Sequence, residues 1–162
     1  MKRQTLTVLS IIVIIGLAYV GYKVANDYQH LMKFYAAAEH GDAGAETRMC
    51  LFSYKGDPFY HGDGFPQDYA KAMMWCKRAA DQGYAQAQFY VGRMYWLGQG
   101  VSMDLVQSYM WLLLAAKQNP RVTTQNIPAI EALLTPEQMA EGRRRAAEWK
   151  PTTDTKPDNK LQ

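Results

Sequence analysis

Charge is scarce and balanced in this 162-residue chain, where 18 Lys and Arg against 15 Asp and Glu leave a formal net charge of +3. That excess is too small and too scattered to build the basic field a nucleic-acid binder needs. Histidine is scarcer still: His30, His40 and His61 are isolated from one another. There is no H-E-x-x-H pair, no G-x-S-x-G elbow and no phosphate-cradling glycine loop. Without a nucleophile, base and orienter set, the sequence argues against a hydrolase and predicts no cofactor. His61-Gly62-Asp63 carries two residue types that could ligate a metal, but no further ligand stands at a suitable spacing, so it reads as a solvated loop and no metal is expected. Cysteine is reduced to two residues, Cys50 and Cys76.

Charge is also missing locally. After Met1-Lys2-Arg3 no charged side chain occurs until Lys23, and LTVLSIIVIIGLAYVGY fills the gap. That run lies near the lower limit for crossing a hydrocarbon core of about 30 Å. It has no polar face, which argues against a buried core helix. A signal peptide cut near Ala18, after Gly16-Leu17-Ala18, is the alternative to an uncleaved anchor. No cysteine near the end of the run points to lipoprotein processing. Lys2 and Arg3 predict a cytoplasmic N-terminus, with the rest of the chain exported. Gly16 and Gly21 are not at GxxxG spacing, so no strong helix-association motif is read here. Ala25 to Asp27 hold neither Pro nor Gly, so the membrane helix is expected to run on without a flexible linker.

The stretch Gly62–Gly83, GDGFPQDYAKAMMWCKRAADQG, reads as loop, cap, amphipathic helix and stop. Asp68 is placed to cap the helix and Gly83 to close it. Tyr69, Ala72, Cys76, Ala79 and Ala80 share one face, with Lys71, Lys77, Arg78 and Asp81 largely on the other. Thirty-six residues on, Gly62, Gly64, Asp68, Met74, Trp75, Ala79 and Ala80 recur as Gly98, Gly100, Asp104, Met110, Trp111, Ala115 and Ala116. A period in the thirties marks stacked helical hairpins, each too small to bury its own apolar face.

These residues resemble the SEL-one-like repeats, relatives of the tetratricopeptide repeats. One copy is AQFYVGRMYWLGQGVSMDLVQSYMWLLLAA, Ala87 to Ala116, and the Gly62–Gly83 stretch is the second half of the copy before it. The resemblance spans roughly residues 28–149. It implies an α-solenoid used for contact with another protein, with no family-wide active site to carry over.

Ala37, Ala38 and Gly41 precede Ala79, Ala80 and Gly83 by forty-two, so YQHLMKFYAAAEH resembles the second helix of a degenerate first repeat. The difference between forty-two and thirty-six places about six extra residues within Leu51–Tyr60. That insertion is either a neutral loop extension or a partner contact. Cys50 stands where the next copy has Gly92, and Cys76 takes the second aromatic position of the family's W-Y pair. Those positions face each other across a hairpin, so a disulfide is expected in an oxidising compartment, worth about 3 kcal/mol. Two buried free thiols are the alternative. The family's usual cysteine pairs are spaced differently, so the resemblance does not carry this bond.

Pro128 is read as opening a short helix, AIEALL, and Thr135-Pro136-Glu137 as starting a last one that runs to about Trp149 and caps the solenoid. The expected fold is thus all-α: a short α-solenoid of antiparallel helical hairpins behind one transmembrane helix. Residues 1–4 are cytoplasmic, 5–22 span the membrane and 28–41 form the degenerate repeat. Full repeats cover 42–83 and 84–119, capping helices 120–150, and a disordered tail 151–162.

Candidate partner-binding residues come from the insertion and from the Met and aromatic triplets. The insertion contributes Tyr54, Lys55, Asp57, Phe59, Tyr60, His61 and Asp63. Because one helix cannot bury three consecutive side chains equally well, Met74, Met110 and Tyr90 are expected near the concave surface. Arg143-Arg144-Arg145 reads as a solvated face rather than a lipid or partner contact. Together these features predict a non-enzymatic module in the periplasm of a Gram-negative bacterium, anchored in the inner membrane and binding another protein. It would act as an inhibitor or immunity protein against a secreted periplasm-acting toxin, or alternatively as an accessory or scaffold subunit of an envelope complex.

Overall fold

Acidic caps and glycine stops write most of the helix boundaries. A computed structural model describes residues 2–56, 66–123 and 125–152, with side chains from Ile15 onward apart from 24 and 122. The described residues contain no strand. Their helices are α1 (Lys2–Glu39), α2 (Ala43–Lys55), α3 (Tyr69–Asp81), α4 (Ala85–Leu97), α5 (Leu105–Gln118), α6 (Asn126–Glu131) and α7 (Pro136–Glu148). Asp42, Asp68 and Asp104 each accept a hydrogen bond from the backbone N–H three residues on, meeting an orphan donor at the starts of α2, α3 and α5. Gly41 (φ 85°) and Gly83 (φ 91°) follow α1 and α3 in the left-handed region that glycine adopts freely.

The helices α2 and α3 form one hairpin, α4 and α5 the next, and α3 stacks on α4. The end of α1 packs on α2 through Leu31 and Ala38. Continuous small residues make these crossings tight: Ala72, Ala79, Ala80, Ala87 and Ala115 are wholly buried. At Gly92 an added Cβ would lie 2.9 Å from Leu112 Cγ, so α4 and α5 touch there almost backbone to side chain. The first hairpin puts Cys50 and Cys76 at the corresponding points. They are joined by a disulfide with 4.9 Å between their Cα atoms, within the range such a bond spans. The facing positions expected from the repeat register are therefore real, and a covalent bond replaces a glycine–leucine contact.

One expected surface residue turns inward. Arg78 does not join the solvent face of α3: its Nε lies 2.7 Å from Glu46 Oε1, and its Nη2 donates to the Ala38 carbonyl at 2.9 Å. Glu46 is 1% exposed, and Gln82 donates to its other oxygen at 2.8 Å. A buried carboxylate needs such partners, and this one ties α1, α2 and α3 together.

A second core, around Tyr109, Leu112, Ile130 and Leu134, forms where α6 and α7 close over α5. Gly142 lets α7 approach, since a Cβ there would meet Tyr109 Cδ1 at 2.7 Å. Thr135 and Gln138 form a reciprocal capping box at the start of α7. The short helix α6 begins at Asn126, two residues before the expected start, and ends at Glu131. The Thr123 carbonyl accepts from both Asn126 and Ile127, which nucleates the turn early. Pro128 then sits in the first turn, where its missing N–H costs nothing. The expected tail is corrected at its start: Thr152 N donates to the Asp81 carbonyl at 2.8 Å, and Pro151 lies over Gly83. Residues 153–162 lie outside the described residues.

The helix α1 runs unbroken through Ala25–Asp27, about 57 Å at 1.5 Å per residue. Among the described residues no helix is long and apolar enough to cross a membrane. Much of the expected span, residues 5–14, falls outside the described side chains. In the remainder Ile15, Leu17, Tyr19, Val20 and Tyr22 are all more than half exposed.

Candidate protein-binding surface

The insertion is located by the helix lengths. Both α2 and α4 have 13 residues, so Leu51 to Lys55, the first half of the stretch expected to hold the extra residues, are helical. The α2–α3 connection covers 56–68 and the α4–α5 connection only 98–104, so all the additional length lies after Lys55. Asp57, Phe59, Tyr60, His61 and Asp63 lie outside the described residues.

The two ends of this connection are tied down. Gly56 (φ 67°) donates to the Phe52 carbonyl, Asp68 N donates to Ser53 O at 2.8 Å, and Gln67 donates to Tyr54 O at 2.9 Å. Tyr54 is a structural post rather than a surface contact. It is 9% exposed, its ring meets those of Tyr69 and Tyr90 edge-on at 5.5 and 5.0 Å, and its hydroxyl donates to Gln99 at 2.9 Å. Burial pushes that hydroxyl above the ordinary tyrosine range, with Arg93 pulling the other way, so it remains a neutral donor. The Arg93 guanidinium lies 5.9 Å from the Tyr54 ring and 5.8 Å from that of Phe89. Half-buried Tyr69, Tyr90 and Arg93, with exposed Lys55, therefore form an aromatic and cationic patch at the foot of the insertion. Sequence reasoning missed Tyr69 as a surface residue because its helical register assigns it to the core, and missed Arg93 because nothing local marks it.

The triplets divide unevenly. Met74 is 43% exposed beside buried Trp75. Met94 is buried, while Tyr95 and Trp96 are partly covered. Tyr109, Met110 and Trp111 are all buried, Met110 at 7%, so Met110 offers no surface. The expectation fails there because α4, α6 and α7 surround α5 on several sides.

The arginine run of α7 is neutralised. Arg144 pairs with Glu141 and Glu148, Arg145 with Glu141, and Arg143 with Glu131. Hydrogen bonds from Arg144 and Arg145 hold the Glu141 carboxyl at about 2. His30 and His40 are exposed, and no group of His, Cys, Asp or Glu among the described residues is arranged to hold a metal.

Two stacked helix–turn–helix hairpins with capped ends define a short α-solenoid of the tetratricopeptide-like class. Comparison with known proteins makes that class specific: residues 45–84 and 85–120 match the Sel1 repeat. The two matched stretches coincide with the α2–α3 and α4–α5 hairpins. A protective antigen of uropathogenic Escherichia coli with an SLR fold aligns at a TM-score of 0.65 with 27% identity, covering 74% of this chain and 24% of its own. A Sel1 repeat protein from Oxalobacter formigenes aligns at 0.52 with 31% identity, covering 72% and 34%. Chitin synthase regulatory factor 3 of Schizosaccharomyces pombe is 40% identical over 53 residues, which are 33% of this chain and 6% of that protein. The chain thus spans about a third or less of each relative's length.

Proposed function

We propose that this chain is a non-enzymatic module held at the bacterial inner membrane by the N-terminal half of α1, with its repeats in the periplasm. It binds a partner protein through the patch at the foot of the α2–α3 insertion. The observation that carries the reading is the pair of Sel1 repeats. One of them bears an insertion whose ends are fastened to a rigid aromatic cluster. A loop on a fixed scaffold presents side chains at low ordering cost. The regulatory role in the fission-yeast relative's name supports control of another protein, and the role we favour is neutralising a secreted toxin that acts in the periplasm. The disulfide suits an oxidising compartment. Exposed apolar residues from 15 to 22 support the anchor. A second reading, an accessory subunit of an inner-membrane complex, is favoured by the exposed side chains of Met32 and Tyr35 further along α1.

The test is recovery of the full chain from crosslinked envelopes, with mass spectrometry of bound proteins. One stoichiometric secreted protein, lost on the charge reversal Lys55→Glu with folding unchanged, supports the inhibitor. An inner-membrane complex that survives Lys55→Glu and is lost with Met32→Lys replaces it by the accessory-subunit reading.

A further inference from the structure

We propose that Trp149–Thr152 is a displaceable strap over a peptide-docking groove between α3 and α5. The groove takes an extended segment of a partner protein that carries an aromatic residue two positions before a proline. The chain's own Trp149-Lys150-Pro151-Thr152 shows that chemistry in place. Helix α7 stops at Glu148, and Trp149 is already extended at φ −64° and ψ 138°. Its ring meets that of Trp111 edge-on at 6.0 Å and lies with Pro151 over Gly83. Proline holds the backbone extended. Thr152, the next residue, donates its N–H to the Asp81 carbonyl at 2.8 Å and its hydroxyl to the same oxygen at 3.2 Å. That carbonyl is one of the acceptors a helix leaves without an intrahelical partner at its end. Recognition therefore needs an aromatic ring, a proline and one free N–H.

The floor of the groove is built without the strap. Lys77 Nζ reaches both Asp81 carboxylate oxygens at 2.6 Å and stands 5.1 Å from the centre of the Trp111 ring. Gln118 donates to the Gly83 carbonyl at 2.7 Å, holding the turn after α3 to the end of α5. Helix α7 has its own attachments: buried Gly142 and Ala146, the Lys117 bond to the Ala146 carbonyl at 3.2 Å, and the joined side chains of Tyr109, Glu131 and Arg143. Lys150, Pro151 and Thr152 are exposed, and contacts open to water are the first to release. The strap can thus lift while the groove and α7 stay in place.

One buried group makes the strap an imperfect occupant. Trp111 is 2% exposed, and its indole N–H has no acceptor among the described residues. A donor left unpaired favours an occupant that brings it an acceptor. The tail of a second copy would repeat the same contacts at a lower effective concentration than the tethered strap, so it gains nothing. A different protein segment can gain. The groove is also separate from the patch at the insertion foot, since Tyr69 and Asp81 end α3 on opposite sides, about 18 Å apart at 1.5 Å per residue.

The probe is a fluorescein-labelled, amidated peptide copying Ala147–Thr152, titrated by anisotropy into full-length protein in detergent micelles. Trp149→Ala removes the anchoring ring and should bind the peptide at least about ten-fold tighter than the unaltered chain, because a strap open no more than about a tenth of the time weakens a competitor by that factor. Thr152→Pro removes only the donated N–H and should shift binding in the same direction, so a folding defect in one variant, read by circular dichroism, leaves the other to decide. Replacing the tryptophan of the peptide by alanine, or methylating its last backbone N–H, should abolish binding. Equal affinity in all three chains, no binding to either variant, or indifference to the peptide's ring and N–H overturns the proposal. So does a dimer of the unaltered chain that Trp149→Ala dissociates, which would give the groove to a second copy. Lys55→Glu should leave peptide binding unchanged, whatever it does at the other patch.

Discussion

Reducing the Cys50–Cys76 bond tests whether the first hairpin depends on a covalent clamp. The bond closes a sequence separation of 26 residues, and loop-closure entropy for that length is about 3.5 kcal/mol. Unfolding entropy of roughly 2.1 cal/mol/K per residue over about 120 packed residues converts this to a Tm loss of roughly 14 °C. Both sulfur-bearing residues are 0% exposed, so reductant added to the folded protein should act slowly. The comparison therefore uses protein reduced in denaturant and refolded in reductant, beside an oxidised sample treated identically. Reduction keeps both sulfur atoms in the core, so the difference reports the crosslink rather than a cavity. Melting followed by circular dichroism, with a thiol count on each sample, gives the answer. A verified dithiol form melting within about 3 °C of the oxidised form would refute the entropic argument and place the stability in packing alone.

Arg78→Ala should cost about 3–5 kcal/mol in urea unfolding, because it strands the buried Glu46 carboxylate; a loss below about 1 kcal/mol would mean Glu46 is neutral or wetted. Burial pushes the Glu46 carboxyl above its ordinary value, with Arg78 opposing. Its stability contribution is therefore fully present below the unfolded value of 4.5 and lost as pH rises through the folded one. Glu46→Gln should flatten that part of the urea-midpoint profile above pH 4.5, and an unchanged slope would assign it to other groups. Glu141 has the opposite sign: its contribution is present above 4.5 and lost as pH falls towards about 2, so Glu141→Gln should diminish the acid-side loss. Gly100 has φ 69°, and a Cβ there would fall against the Tyr69 carbonyl. Gly100→Ala should lower the melting temperature more than Gly98→Ala, whose added Cβ meets nothing closer than 3.7 Å; equal effects would show that the conformational strain alone matters. Ala115→Leu should overpack the second hairpin by about 1–3 kcal/mol, and unchanged melting would contradict the buried assignment.

Much of the fold was legible because its signals are local. Asp68 and Gly83 mark a helix start and stop through backbone groups within a few residues, and a shift of thirty-six transfers both the pattern and the hairpin. The Cys50–Cys76 contact followed from the same register. The candidate surface was less legible. Met110 and Met74 occupy equivalent repeat positions, yet one is 7% exposed and the other 43%, since α5 is packed by α4, α6 and α7 together. Tyr54 was expected in the insertion as a partner contact; it belongs to α2, and its ring is consumed by Tyr69 and Tyr90.

What the sequence determined by itself is the helical content, the two repeats, the capping of their helices and the pair of cysteines brought face to face. Each depends on neighbours along the chain or on a repeated spacing. Only the tertiary structure decided that Arg78 turns inward to Glu46, that Arg93 joins Tyr54, and that Thr152 fastens to Asp81. Those partners are 32, 39 and 71 residues apart, and no helical period connects them. Their meeting depends on how hairpins stack, which sets the desolvation and partners of each polar group.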